Sequence, residues 1–362
     1  MTLNIKETVN CWDFLKSTQL PIYIYGMGLG AEKILKVFEQ YGITYEGFFA
    51  SDGFVRGHKF KGSEVLSLSA VEEKEKDFVI VLAFAAGYME LYDQILNIAS
   101  RHLLLAPDVP VAGEGLFTYE YFKEHENEFE EVFENLADDV SRKTYEDIIN
   151  FKISGKIEYL NDCTTSKDEV YDSIIDLKPD STFVDMGAYK GDTIEEFLAA
   201  TAKKNIDYKA IYAFEPNSKN YAKLVKNSEA MGLHDATLIN GCSTDRSKTL
   251  RFTKNEGRMA KADDKGELLI EGYAADDVVK VEHRVNRVIL KLDTEGAEKD
   301  ALNGSADLIR NGADILCALY HRNEDMFAIP LQIKAMNPDL KLYVRHQLYI
   351  PAWETNLYAV NL

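Results

Sequence analysis

The chain has 362 residues, 46% of them apolar, and a formal net charge of −19. That length suits two domains joined by a connector, and that charge argues against general binding to nucleic acid or an anionic membrane, because phosphate contacts demand clustered Lys and Arg. The four cysteines, Cys11, Cys163, Cys242 and Cys317, are scattered with no Cys-x-x-Cys, which suggests neither a zinc site nor a disulfide framework and points to a reducing cytosol.

No stretch approaches the ~20 apolar residues of a membrane span, and no early run joins a basic start to an apolar core. A soluble, cytoplasmic protein is expected.

Residues 21 to 30, Pro-Ile-Tyr-Ile-Tyr-Gly-Met-Gly-Leu-Gly, read as a strand entering a glycine turn. An apolar-periodic helix follows through Ile34, Leu35, Val37 and Phe38. Further strands over Tyr45 to Ala50 and Phe78 to Phe84 give a β-α-β-α-β unit within residues 20 to 105. Gly26, Gly28 and Ala31 fit the Gly-x-Gly-x-x-Ala variant of a phosphate-binding turn, and Asp52 falls near the place that holds ribose in dinucleotide folds. Two readings stay open with equal weight: a nucleotide or nucleotide-sugar site, or glycines that only let helix and strand pack closely in a domain used for dimer contacts.

From Phe117 to Asn150 helical spacing combines with dense acids, including Glu124, Glu126, Glu128, Glu130, Glu131, Glu134, Asp138 and Asp139, so residues 111–175 are expected to be an acidic helical connector. It separates an N-terminal domain, 1–110, from a C-terminal one, 176–362, whose cofactor mouth it is placed to cover.

In the second domain, Ser181-Thr-Phe-Val-Asp-Met-Gly-Ala-Tyr-Lys-Gly-Asp192 reads as a buried strand, a glycine turn and the start of a helix over Thr193 to Ala202. The next strand, Ala210 to Glu215, ends in a second carboxylate about one βα unit on, where open α/β sheets place the acid that accepts from ribose hydroxyls. Asp185, Gly187, Ala188, Gly191 and Glu215 together point to an adenosyl ligand. The spacing Asp-x-Gly-x-x-x-Gly is wider than the dinucleotide fingerprint and suits a ligand without a pyrophosphate, of which S-adenosylmethionine is one.

A further strand runs Ala236 to Gly241, and Thr253 to Gly272, with Gly257, Asp263, Asp264 and Gly266, reads as a loop or lid. Arg287 to Asp293 runs straight into Thr294-Glu-Gly-Ala-Glu298, which brings Asp293 and Glu295 to a strand's carboxyl end. They suit a general base, an anchor for an acceptor hydroxyl or a cation site; alternatively Glu295 and Glu298 only favour a helix N-terminus. Ile315 to Arg322 delivers His321 to the same rim, where an imidazole of near-neutral pKa can accept a proton. Leu340 to Ile350 and Thr355 to Val360 form a closing hairpin whose Arg345, His346, Tyr349 and Trp353 either floor a polyol site or pack.

Three blocks, Phe183 to Asp192, Ala213-Phe-Glu-Pro216 and Leu290-Lys-Leu-Asp-Thr-Glu-Gly-Ala-Glu298, resemble those of the FkbM family of S-adenosylmethionine-dependent methyltransferases over residues 180 to 320. The resemblance implies an α/β protein with a C-terminal class I methyltransferase domain built on a seven-stranded mixed sheet. It also implies methylation of a carbohydrate or secondary-metabolite hydroxyl. Gly241 and Cys242 are then expected beside the adenine, with His321, Asp293 and Glu295 as catalytic residues on the acceptor side and no metal assigned. The N-terminal glycine turn and Phe48-Phe-Ala-Ser-Asp52 resemble the nucleotide-sugar-binding domain of bacterial sugar acetyltransferases. An NAD-dependent sugar-modifying enzyme using Gly26, Gly28 and Asp52 is the rival, weakened by the lack of a Tyr-x-x-x-Lys pair; a non-catalytic nucleotide-sugar binder is the other.

Overall fold

A computed structural model describes residues 2–55, 57, 59–252 and 268–361. Two sheets stand behind the two halves of the sequence. The first has six strands in the order Lys59–Phe60, Ser63–Ser67, Gly47–Ala50, Ile22–Tyr25, Val79–Leu82, Leu103–Leu105, all parallel except the short first pair. The expected three strands are its centre, where every residue of Ile22–Tyr25, Gly47–Ala50 and Val79–Leu82 is buried. Such unbroken apolar runs are what a parallel sheet covered on both faces requires. The additional strands are short or half-exposed and carry little periodicity.

The second sheet runs Ala236–Ile239, Tyr208–Phe214, Ser181–Met186, Val288–Leu292, Asp314–Ala318, Thr355–Val360, Lys341–Gln347, Thr164–Thr165. The first five are parallel and the Thr355–Val360 strand is antiparallel to both neighbours. This is the expected seven-stranded mixed sheet with an eighth, two-residue strand, Thr164–Thr165, contributed by the connector. The 253–267 part of the expected lid, with Gly257, Asp263, Asp264 and Gly266, lies outside the described residues. Leu268 to Gly272, read from sequence as part of that loop, instead belongs to the strand Leu268–Tyr273, which pairs antiparallel with Lys248–Phe252 in a small separate sheet.

The connector contains helices Tyr119–Glu124, Glu126–Asn135 and Asp139–Ser154. Phe129, Val132 and Phe133 are buried, while the acids between them form the outer face. Asp139–Ser154 is capped by Asp138, whose side chain accepts from Ser141 N, and closed by Gly155 in the left-handed conformation. One apolar cluster runs from Tyr23 and Ile80 through Phe129, Tyr145 and Ile149 to Leu290, Val344 and Leu357. Polar contacts cross the same junction: Lys152 pairs with Asp108 at 2.6 Å, both buried, and Ala86 and Ile350 exchange backbone hydrogen bonds. Among the described residues no helix is long and apolar enough to cross a membrane.

Candidate active site

The glycine turn after Ser181–Met186 is built by the backbone. Gly187 N and Ala188 N both donate to Phe214 O, at 3.1 and 2.9 Å, tying the turn to the neighbouring strand. Gly187 has φ +99°, and a Cβ there would stand 1.9 Å from Asp293 O, so this glycine answers first to the Asp293 loop crossing over it. Gly191, φ +92°, starts the helix Asp192–Lys203.

Asp185 is fully buried beneath the turn, its Oδ2 accepting from Thr193 Oγ1 at 2.7 Å. Lys291, its register partner on Val288–Leu292, places Nζ 3.3 Å from Asp185 Oδ1, 3.8 Å from Asp293 Oδ2 and 3.1 Å from Gly187 O. Burial raises the Asp185 pKa against the opposing pull of Lys291. For Lys291 burial works downward, but Asp185 and Asp293 outweigh it and its pKa is raised.

Glu215 follows Tyr208–Phe214 and is 6% exposed. Its Oε1 accepts from Asn217 N at 2.8 Å. Burial lifts its pKa, while backbone N–H groups of Asn217 and Tyr189 favour the carboxylate. Among the described residues it has no ion-pair partner, which suits an acid that accepts from neutral hydroxyls. Gly241 and Cys242 lie beyond Ala236–Ile239, beside the small sheet. A Cβ on Gly241 would stand 2.5 Å from Glu271 O and 2.7 Å from the Tyr273 ring, and Cys242 opens the strand Cys242–Ser243 that pairs with Gly272 and Tyr273.

The acceptor-side residues converge. His321 is 1% exposed, its Nε2 3.3 Å from Asp293 Oδ1 and 3.7 Å from Glu295 Oε2, its Nδ1 2.9 Å from Glu298 Oε1. Burial pushes the imidazole down, yet Glu298, Asp293 and Glu295 together lift its pKa to about 9. Glu298, despite burial, is held down to about 2 by His321. The three carboxylates favour the charged ring, a pull opposite to that wanted for a neutral base at His321. Glu295 adopts φ +57°, a strained backbone conformation for a non-glycine residue.

Several partners here were not identified from sequence. Glu298 Oε1 accepts from Thr294 N, Thr294 Oγ1 and Gly296 N, at 2.7, 3.1 and 3.3 Å, and so shapes the loop. Tyr320 donates to Asp293 Oδ1 at 3.2 Å, and Asp325, buried nearby, accepts from Arg322 N. The one available signal was Lys291, a cation inside an apolar strand, which demands a buried anion. Residues of the connector touch this rim: Ala112 N donates to His321 O at 2.8 Å, and Asn323 to Gly115 O.

Of the two readings of the hairpin, packing holds for Arg345 and His346. Arg345 is buried and paired with Asp138 and Glu169 at 2.6 and 3.0 Å, and His346 is buried between Thr355 Oγ1 and Tyr349 O. Both brace the connector and hairpin; only Tyr349 and Trp353 are partly exposed.

In the N-terminal turn, a Cβ on Gly26 would meet the Phe84 ring at 2.5 Å, so that glycine serves packing, and Ala31 is buried in the core. Gly28, φ +99°, has nothing within 4 Å of where a Cβ would stand, and Asp52 accepts from Ser69 N at 3.3 Å.

Parallel strands with Asp185, Glu215, Asp293 and His321 at or just beyond their carboxyl ends, closed by an antiparallel hairpin, define a Rossmann-like class I methyltransferase fold. Residues 185–350 match the methyltransferase FkbM domain. The C-terminal half of the chain thus carries an FkbM-family methyltransferase domain. The fold is similar to that of a methyltransferase FkbM from Methylobacillus flagellatus KT, with TM-score 0.68 at 19% identity, over 95% of this chain and 91% of that one. An rRNA methylase from Streptococcus thermophilus aligns with TM-score 0.33 at 14% identity over 54% of this chain and 93% of that one, too loosely to add to the fold. No curated protein matches in sequence.

Proposed function

We propose that the chain transfers a methyl group from S-adenosylmethionine to a hydroxyl oxygen of a carbohydrate or secondary metabolite in the cytoplasm. What supports this reading is that buried Asp185 and Glu215 end adjacent strands while Asp293, Glu295 and His321 gather at the ends of the next two, with Lys291 joining the groups. S-adenosylmethionine, when bound, supplies a sulfonium-activated methyl group; the C–S bond breaks, sulfur keeps the electron pair, and the acceptor oxygen takes the carbon.

The chain's own work is alignment and proton removal. Glu215 accepts from the ribose hydroxyls, the turn from Gly187 to Gly191, with buried Asp185 supporting it from beneath, holds the amino-acid end, and the Gly241–Cys242 segment lies beside the adenine. Asp293 and Glu295, whose side chains are 36% and 45% exposed, orient the acceptor hydroxyl and receive its proton. His321 is a positioning residue that fixes both carboxylates. Residues 1 to about 110 serve recognition or assembly, and the open approach to Gly28 favours a nucleotide or nucleotide-sugar there.

Isothermal titration of the full chain with S-adenosylhomocysteine, NAD and UDP-sugars tests the assignment. S-adenosylhomocysteine binding that Glu215→Ala weakens supports it; NAD binding without S-adenosylhomocysteine binding overturns it. A screen of hydroxylated acceptors with labelled methyl donor then identifies the substrate.

A further inference from the structure

We propose that Asp293, Glu298 and His321 form a binding site for one divalent first-row transition-metal cation. The inference rests on the methyltransferase reading only for its role, since the ion would sit on the acceptor side. One ligand atom from each residue lies within 4.8 Å of the others, with His321 Nε2 3.3 Å from Asp293 Oδ1. Donors bound at ~2.0–2.3 Å around one ion stand roughly 3 Å apart side by side and about 4–4.5 Å apart across it; because Asp293 faces Nε2 and Glu298 faces Nδ1, Glu298 must swing toward the Nε2 side for one ion to take all three.

An independent observation points to a missing partner. Glu298 and His321 are each 1% exposed, yet among the described residues Glu298 Oε2 and His321 Nδ1 make no hydrogen bond. His321 Nδ1 is nonetheless ion-paired, 2.9 Å from Glu298 Oε1, which leaves Glu298 Oε2 as the unpartnered atom of the two residues. Buried polar atoms are normally satisfied, so the unpartnered Glu298 Oε2 marks a place for a ligand.

The surroundings are those of a supported metal site. Thr294 N and Oγ1 fix Glu298 through its other oxygen, and Tyr320 donates to Asp293, as outer-shell groups orient metal ligands. Asp293, Glu295 and Glu298 set three carboxylates around one imidazole, with Lys291 at 3.8 Å from Asp293 and Asp325 buried beyond. One imidazole with two carboxylates suits Mn²⁺, Fe²⁺ or Zn²⁺ better than the all-oxygen cages of Ca²⁺. Binding exchanges the ring proton for the ion. Asp293 is the exposed ligand, so the open side faces the acceptor, whose hydroxyl the ion would polarise while Glu295 takes its proton.

The test uses the full chain, stripped with EDTA and dialysed, and Mn²⁺ alone as probe, followed by electron paramagnetic resonance, with S-adenosylhomocysteine titration on the same samples as a separate readout. The expected result is one Mn²⁺ per chain, bound at least tenfold more weakly by Asp293→Asn and by Glu298→Gln. Absence of stoichiometric Mn²⁺ in a chain that binds S-adenosylhomocysteine overturns the site, as does equal Mn²⁺ binding by the parent and both variants. Stoichiometric Mn²⁺ lost in the variants, in a chain that ignores S-adenosylhomocysteine, keeps the ion site and removes the methyltransferase reading.

Discussion

Lys291 reaches its register partner Asp185 across two parallel strands, Nζ to Oδ1 3.3 Å, in a layer where the carboxylate is fully buried. That contact couples the floor of the expected cofactor site to Asp293 on the acceptor side, 3.8 Å from the same ammonium. The pair is held by necessity: a lone buried charge of either sign is costly, and each supplies the other's counter-ion.

Lys291→Met should therefore lower stability by about 3 kcal/mol, the scale for stranding one member of a buried pair. Adding Asp185→Asn should recover much of that loss, because the stranded charge is then gone. Urea unfolding of the two single variants and the double variant checks it; additive losses would show the pair to be uncoupled.

Gly187→Ala tests the turn. Its Cβ would stand 1.9 Å from Asp293 O at φ +99°, so either the strand ends part or the turn collapses, and both S-adenosylhomocysteine affinity and melting temperature should fall sharply. Gly191→Ala meets the side-chain ends of Leu224, Met231 and Ile194, at 3.2, 3.5 and 4.0 Å, and should cost roughly 1–3 kcal/mol for its positive φ. Equal melting temperatures for the two variants would contradict the close crossing of the Asp293 loop.

The sequence made Asp185, Glu215, Asp293 and His321 legible for one reason: each closes or follows an apolar run, and parallel strands deliver their ends to one edge. Burial and pairing were not legible. Arg345 and His346 occupy an apolar strand just as Tyr349 follows it, and only the packing of Asp138, Glu169 and Thr355 against them makes them structural. Glu298 looked like a helix-start acid because its partner His321 arrives from another strand. The Thr164–Thr165 strand is too short to carry any periodicity.

Glu215→Ala should weaken S-adenosylhomocysteine by about 1.5–3 kcal/mol, the range for charge-assisted hydrogen bonds. Because Glu215 also accepts from Asn217 N, which caps the helix Ser218–Met231, Glu215→Gln serves as the companion: its amide oxygen keeps that bond but carries no charge. Titration calorimetry on both variants, with circular dichroism to confirm the fold, separates ligand contact from turn support. Unchanged affinity in a folded Glu215→Ala would remove the residue from the cofactor site.

His346 gives a pH prediction with a definite sign. The ring is buried between a threonine hydroxyl and a backbone carbonyl, and burial lowers its pKa from 6.5 to about 4. In the unfolded chain it takes up a proton as pH falls through about 6.5, while in the folded chain it does not until about pH 4. The unfolded state therefore gains protons first, and the stability this group contributes is intact above pH 6.5, declines between 6.5 and 4, and levels off below. The full loss at that depression is roughly 3 kcal/mol. His346→Gln should be less stable than the parent at pH 7.5, where it gives up a fitted ring, yet lose less on acidification. Melting temperatures of both proteins from pH 7.5 to 4.5 should converge as pH falls; parallel curves would mean that His346 takes up its proton in the fold in step with the unfolded chain, its pKa not depressed.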